Sequence, residues 1–157
     1  MLPKVYIETT IISYLTANPT SDIITAAHQE ITKDWWNNHR NHFELFASEF
    51  VTVEAEAGNP EMARRRLEVL GGIQLLTVEA VAIELGRTLV KHGPLPEKAE
   101  TDAFHIAVAA TSGMNYLLTW NCKHIANAQM QEGIGRICRA IGFEPPIICT
   151  PEELLGE

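Results

Sequence analysis

The sequence has no apolar run approaching the ~20 residues that span a bilayer. Its opening, Met1-Leu2-Pro3-Lys4-Val5-Tyr6-Ile7, lacks the long apolar segment of a secretory signal and runs directly into a strand pattern. Cysteine is scarce. Cys122, Cys138 and Cys149 are odd in number and widely spaced, which fits reduced thiols in a cytoplasmic protein and not a disulfide framework. Positive charge is also scarce, with 12 Lys plus Arg against 20 Asp plus Glu and a net charge of −8. That excludes a protein gripping nucleic acid through a broad basic surface. It leaves room for one that meets phosphates through bound cations. No Cys-x-x-Cys, His-Glu-x-x-His, Gly-rich phosphate loop or Gly-x-Ser-x-Gly elbow occurs, and the six histidines have no zinc spacing.

What is present is an ordinary globular balance. Apolar residues make up 46% and charged residues 20%, which argues against a disordered chain. A length of 157 residues is that of one domain, read here as 1–157, with no internal repeat or long linker. Short apolar runs alternate with amphipathic segments, the pattern of an α/β domain with a parallel sheet. Strands are expected at Val5–Ile7, Phe43–Ala47, Ile73–Val78, Tyr116–Trp120 and Ile147–Cys149. Thr9 or Thr10, Ser21 and Ser48 stand where helix caps are needed. The second helix should turn Ile24, Ala27, His28, Ile31 and Trp35 inward. Asn59-Pro60 starts a helix with proline at its first position. Met130, Ile134, Ile137, Cys138 and Ile141 stripe the last long helix, and Thr150-Pro151-Glu152-Glu153 reads as a capping box.

The informative residues are polar groups that interrupt this pattern. Glu8 directly follows the first strand, and in an open parallel sheet ligands sit beyond the carboxyl ends of strands. A solvated loop charge at a helix start is the plainer reading. Glu54 shares a helical face with Phe50 and Val51, where a carboxylate needs a partner, a proton or a metal; the alternative is a chain end that reaches solvent. Asp102 and His105 are the only strongly polar members of a segment, Asp102 to Ala110, that is otherwise apolar nearly all round and therefore buried. Asn121 follows the Tyr116–Trp120 strand and offers an uncharged oxygen, or a cap for the next helix.

These residues, in this order, resemble the PIN-domain family of metal-dependent nucleases. Tyr6-Ile7-Glu8-Thr9-Thr10 looks like its strand, acid and Thr/Ser opening. Ser48, Val51 and Glu54 look like its Ser-x-x-Val-x-x-Glu helix. Asp102-Ala103-Phe104-His105-Ile106-Ala107 is similar to its Asp-Ala-x-His-Ile-Ala segment, the most specific part, and Leu117-Leu118-Thr119-Trp120-Asn121 resembles its apolar-apolar-Thr-x-Asp strand end. Size and layout further resemble VapC-type toxins of bacterial toxin–antitoxin pairs.

The resemblance implies a three-layer α/β/α fold around a parallel five-stranded sheet, Mg²⁺ or Mn²⁺, and hydrolysis of single-stranded RNA. It carries Glu8, Glu54 and Asp102 over as acids and Asn121 as the fourth position, with Glu8, Asp102 and Asn121 on the main ion and Glu54 reaching it through water or orienting the nucleophile. His105 is expected to hydrogen-bond behind the site, since hard cations prefer oxygen. Thr10 corresponds to the hydroxyl near the metal, and Lys98 and Lys123 lie close enough in sequence to touch phosphate. A cognate antitoxin and a homodimer are implied partners. Two positions depart from the family: Glu8 and Asn121 both stand where Asp is usual. They favour an alternative reading, a catalytically weak module that binds RNA or a protein. Another α/β phosphohydrolase is a third.

Overall fold

Val5, Tyr6 and Ile7 are all fully buried. Successive strand residues face opposite sides of a sheet, so a strand buried at every position must be covered on both faces. The computed structural model, which describes residues 1–156, shows this arrangement. In chain order its elements are β1 (Lys4–Ile7), α1 (Thr9–Thr16), α2 (Ile23–Asn38), β2 (Glu44–Ala47), α3 (Glu49–Glu56), α4 (Pro60–Leu70), β3 (Gln74–Leu75), α5 (Ala80–Lys91), α6 (Glu100–Thr111), β4 (Tyr116–Leu118), α7 (Ala128–Ile141) and β5 (Ile147–Cys149). Short 3₁₀ turns lie at Arg40–His42, Glu97–Ala99 and Pro151–Leu154. The sheet is parallel throughout, in the order β3-β2-β1-β4-β5. It has the expected three-layer α/β/α, PIN-like architecture.

That order places the functional crevice. The chain builds leftward from β1 through β2 and β3, then crosses to the other side for β4 and β5. The reversal falls between β1 and β4, and ligands of open α/β sheets bind beyond the strand ends at such a switch point. Ile7 pairs with Leu118 there. Glu8 and Thr119, the next residue on each strand, therefore stand side by side at the mouth, where the Glu8 N–H donates to the Leu118 carbonyl at 3.1 Å.

Several local expectations are met. Asn59 caps α4 by accepting from the Glu61 and Met62 amides, and Pro60 takes the first helical position. Thr150 and Glu153 form the capping box. Ile134, Ile137 and Cys138 are buried along α7. The three cysteines are free thiols.

Other expectations need correction. The third strand is only Gln74–Leu75, and the second and fourth are trimmed to Glu44–Ala47 and Tyr116–Leu118. Asp22, not Ser21, caps α2. Thr9 and Thr10 lie inside α1, and Ser48 holds the N-cap position of α3 without capping it; the Thr9 and Ser48 hydroxyls are taken by Glu54 and Tyr6, and that of Thr10 by Glu8 and the Trp120 amide. The inward face of α2 is also shifted. Ile24 and Ala27 are exposed, whereas Gln29, Thr32 and Trp35 are buried. Gln29 and Thr32 can face inward because each is satisfied there. Gln29 Nε2 donates to the Asn18 carbonyl, and Thr32 Oγ1 accepts from Trp120 Nε1 while donating to the His28 carbonyl.

Close packing sets the helix that carries Asp102. A Cβ on Gly86 of α5 would lie 2.3 Å from the Phe104 ring of α6, so only glycine lets these two helices approach so nearly. The Phe104 ring also stacks on Phe50 of α3 at 4.9 Å between ring centroids. Phe104 thus fixes α6 between α5 and α3, two residues beyond Asp102.

Candidate metal centre

Glu8 is nearly fully buried, at 2% exposure. Its Oε1 accepts from Thr10 Oγ1 at 2.5 Å and from Thr119 Oγ1 at 2.6 Å. Each hydroxyl is itself oriented by a backbone amide. Trp120 N–H donates to Thr10 Oγ1 at 2.8 Å, and Asn121 N–H donates to Thr119 Oγ1 at 2.9 Å. The β4 exit therefore builds the cradle for the β1 acid. Both donors meet the same oxygen, which leaves Oε2 for another partner.

Glu54 approaches from α3. Its Oε1 accepts from Thr9 Oγ1 at 2.7 Å and from His105 Nε2 at 2.5 Å. A carboxylate only accepts, so Nε2 carries the proton. His105 is fully buried, and its Nδ1 lies 2.7 Å from the Tyr6 hydroxyl, which in turn lies 2.7 Å from Ser48 Oγ. One buried line of hydrogen bonds thus runs from Ser48 through Tyr6 and His105 to Glu54. Burial pushes the Tyr6 phenol far above its ordinary range, so it stays protonated and serves the line as a hydroxyl.

Glu8, Glu54 and His105 each bring a possible ligand atom within 4.8 Å of the others. Both His105 nitrogens are engaged by protein groups, so the donors left for a cation are carboxylate oxygens. Two carboxylates this close repel, and a hard divalent cation suits such an oxygen pair. The residues therefore fit a hard divalent cation.

The two acids titrate in opposite directions. Burial pushes the Glu8 carboxyl up, against the charge of His105 and the hydrogen bonds of Thr10 and Thr119. For Glu54 burial also pushes upward, but the His105 hydrogen bond and charge and the Thr9 hydroxyl outweigh it and hold the carboxyl below its ordinary value. By linkage, a raised carboxyl contributes stability below its ordinary pKa that is lost as pH rises through the raised value. A depressed one contributes stability above its ordinary pKa that is lost as pH falls through the lowered value. Ionised Glu8 thus burdens the metal-free fold at neutral pH. Glu8→Gln keeps an oxygen for both threonines, so it should raise the melting temperature of metal-free protein at about pH 8, with the gain vanishing near about pH 4. Thermal melts of the two proteins across that range check this. A variant less stable than wild type at the upper end would contradict it.

Asp102 and Asn121 form a second arm. Asp102 lies in the first turn of α6 with its side chain 18% exposed. Its Oδ2 is 3.1 Å from His124 Nδ1. Asn121 Oδ1 accepts from the His124 amide at 3.0 Å, and the Asn121 carbonyl accepts from the Ile125 and Ala126 amides. The turn after β4 is therefore wound about Asn121, while Asn127 caps α7. Asp102 lies outside the tight Glu8–Glu54–His105 group, and its arm joins the first one through Asn121 and Thr119.

The remaining predicted residues lie as follows. Thr10 is half-buried with its hydroxyl committed to Glu8 and the Trp120 amide. Lys98, in the 3₁₀ turn before α6, and Lys123, beside His124, are exposed. Among the described residues neither pairs with a carboxylate. The Arg64-Arg65-Arg66 run makes no basic patch: Arg64 bridges Glu61 and Glu68, Arg65 reaches Asn18 and Glu61, and Arg66 donates to the Ala55 and Ala57 carbonyls. Trp120 is a core residue, stacked on His28 at 4.0 Å. A cleft of about 530 Å³ along α5, lined in part by Ile83, Arg87 and Lys91, holds none of the predicted site residues.

Sequence reasoning missed Thr9, Thr119 and His124. The available signal was a hydroxyl within two residues of each strand-end acid or amide, and an Asn with a polar residue three positions later, the spacing of a side-chain-closed turn. No family model and no curated protein sequence matches the chain. Solved structures do. A chain of Rickettsia felis VapBC2, bound to a DNA fragment from its promoter, superposes with a TM-score of 0.58 at 11% identity, covering 94% of this chain and 98% of that one. Mycobacterium tuberculosis VapC20, a sarcin-ricin loop cleaving toxin, superposes with a TM-score of 0.60 at 14% identity, covering 90% and 99%. Over nine-tenths of its length or more, the chain is similar in fold to these VapC proteins.

Proposed function

We propose that the protein is a metal-dependent endoribonuclease that hydrolyses phosphodiester bonds of single-stranded RNA, and the toxin of a toxin–antitoxin pair. The observation that carries this reading is the oxygen pair at the switch point. Glu8 and Glu54 are each pinned through one oxygen, converge with His105 within 4.8 Å, and keep their second oxygens for a cation. The fold shared with VapC structures supports it, and one of those is by name a sarcin-ricin loop cleaving toxin.

A bound Mg²⁺ or Mn²⁺ would supply charge neutralisation at the phosphate and a more acidic water. Glu8, Asp102 and Asn121 are the residues assigned to hold it. Glu54, kept ionised by His105 and Thr9, would reach the ion through water at Oε2 or orient the attacking water there. Thr10 fixes Glu8. Lys98 and Lys123, exposed and without carboxylate partners, are assigned to flanking phosphates. An antitoxin and a second copy of the chain are the partners this reading calls for. Among the described residues no helix is long and apolar enough to cross a membrane.

Asp102 standing with His124, outside the Glu8–Glu54 group, favours one competing account: a weak or inactive module that binds RNA or a protein. Metal titration separates the two. At a hundredfold excess over Kd, Mn²⁺ should stabilise the fold by about 2.7 kcal/mol, or roughly 5–10 °C in Tm. Cleavage of single-stranded RNA should stop in excess EDTA and return with Mn²⁺. A melting curve unmoved by millimolar metal, with no cleavage, supports the binding module instead.

A further inference from the structure

Each acid of the proposed centre is held through one oxygen by a partner that can only have arrived by folding. Thr10 and Thr119 hold Glu8 Oε1. Thr9 and His105 hold Glu54 Oε1. Asp102 is held at Oδ2 by a single group, Nδ1 of His124 at 3.1 Å. The carboxylate has no proton to give, so Nδ1 is the donor. The geometry points to His124 as the positioning residue for Asp102, setting its free oxygen for the cation while taking no part in ligation or bond breaking. This rests on the proposed metal-dependent reading and deepens it.

The backbone of His124 makes it suited to that role. Its amide donates to Asn121 Oδ1, and the two residues that follow donate to the Asn121 carbonyl. Fully buried Ile125 anchors the turn in the core. The imidazole therefore leaves a fixed platform, half-buried, with its side chain 14% exposed. That platform is tied through the Asn121 amide to Thr119 Oγ1 and from there to Glu8 Oε1. One line of hydrogen bonds, Asp102–His124–Asn121–Thr119–Glu8, thus spans the crevice and sets the α6 acid relative to the β1 acid. Partners behind metal ligands typically matter by about 10- to 100-fold in metal affinity.

The test is a Mn²⁺ titration of thermal melting, each variant read against its own metal-free Tm, alongside Mn²⁺-dependent RNA cleavage. His124→Phe keeps a ring and removes the donor. It should raise the half-saturating Mn²⁺ concentration about tenfold in both assays, with cleavage recovering at saturating metal. His124→Asn places Nδ2 where the ring has Nδ1 and should restore most of the loss, which a merely structural role for the ring would not allow. In an Asp102→Asn background His124→Phe should have no further effect. Should His124→Phe fail to fold, His124→Gln, which moves the donor one bond farther, is expected to show the same weakening. Wild-type metal dependence with an unchanged half-saturating concentration in these variants overturns the positioning role alone. A wild-type protein that answers to no divalent metal, in melting or in cleavage, overturns both this role and the nuclease reading.

Discussion

Asp102→Asn should reduce metal-dependent RNA cleavage by on the order of a thousandfold while leaving cooperative melting and far-UV circular dichroism intact. The magnitude follows from the several kcal/mol that a bound cation contributes to a phosphoryl transition state, at 1.36 kcal/mol per factor of ten. The fold should survive for a local reason. Asn keeps an oxygen for His124 Nδ1, and the Asp102 side chain is partly exposed, so neither a cavity nor an unpaired buried donor results. Only charge is lost. Glu61 supplies the control. It is an exposed acid paired with Arg64 on α4, away from the crevice, and Glu61→Gln should cleave at the wild-type rate. Single-turnover cleavage of a labelled oligoribonucleotide, with and without excess EDTA, measures the difference. An Asp102→Asn protein that keeps wild-type activity would remove the basis of the assignment.

His105→Ala should be the most damaging single change for the fold around the site, costing about 3 kcal/mol and lowering Tm by roughly 6–12 °C. The ring is fully buried and satisfies groups on two elements at once, Tyr6 of β1 and Glu54 of α3. Its removal leaves a cavity and takes one partner from each. A second consequence concerns pH. Burial pushes Glu54 upward, and His105 is the main influence that reverses it. Without the ring the Glu54 carboxyl should rise, so the acid limb of the pH–rate profile should move to higher pH. Melting curves and a pH–rate profile of the variant test the two halves separately. A variant that melts with wild type would show that the buried hydrogen-bond line carries little of the stability.

What could be read from the residues, and what could not, divides along one physical line. Features that depend on neighbours in sequence were legible. Val5-Tyr6-Ile7 is a central strand, Asn59-Pro60 opens α4, and Thr150 and Glu153 close a capping box. The acids were legible because a charge among apolar residues advertises a special environment. Hydroxyls advertise nothing. Thr9, Thr10 and Ser48 sit where helix caps belong, and the local rule assigns them that task. Their actual partners are Glu54, Glu8 and Tyr6, the first and last more than forty residues away. Gln29 and Thr32 on α2 mislead for the same reason. Periodicity counts them as solvent-facing, while a carbonyl 11 residues away and an indole 88 residues away satisfy them inside. His124 is the sharpest case. As part of Cys122-Lys123-His124 it looks like an ordinary turn, and only folding brings it to Asp102, 22 residues earlier in the chain.

The bonds that shape the crevice join segments far apart in the chain. Glu8 meets Thr119 across 111 positions, Thr10 meets the Trp120 amide across 110, and Tyr6 meets His105 across 99. Chains emerge from the ribosome N-terminus first, at about 5–20 residues per second. A nascent polypeptide stopped before β4 therefore carries the first acid without Thr119 to hold it or the Trp120 amide to orient Thr10. The crevice can assemble only after β4, the strand beside β1 at the sheet's centre, has been made. For a protein whose proposed action is on RNA, a chain that ends before β4 would lack the assembled crevice.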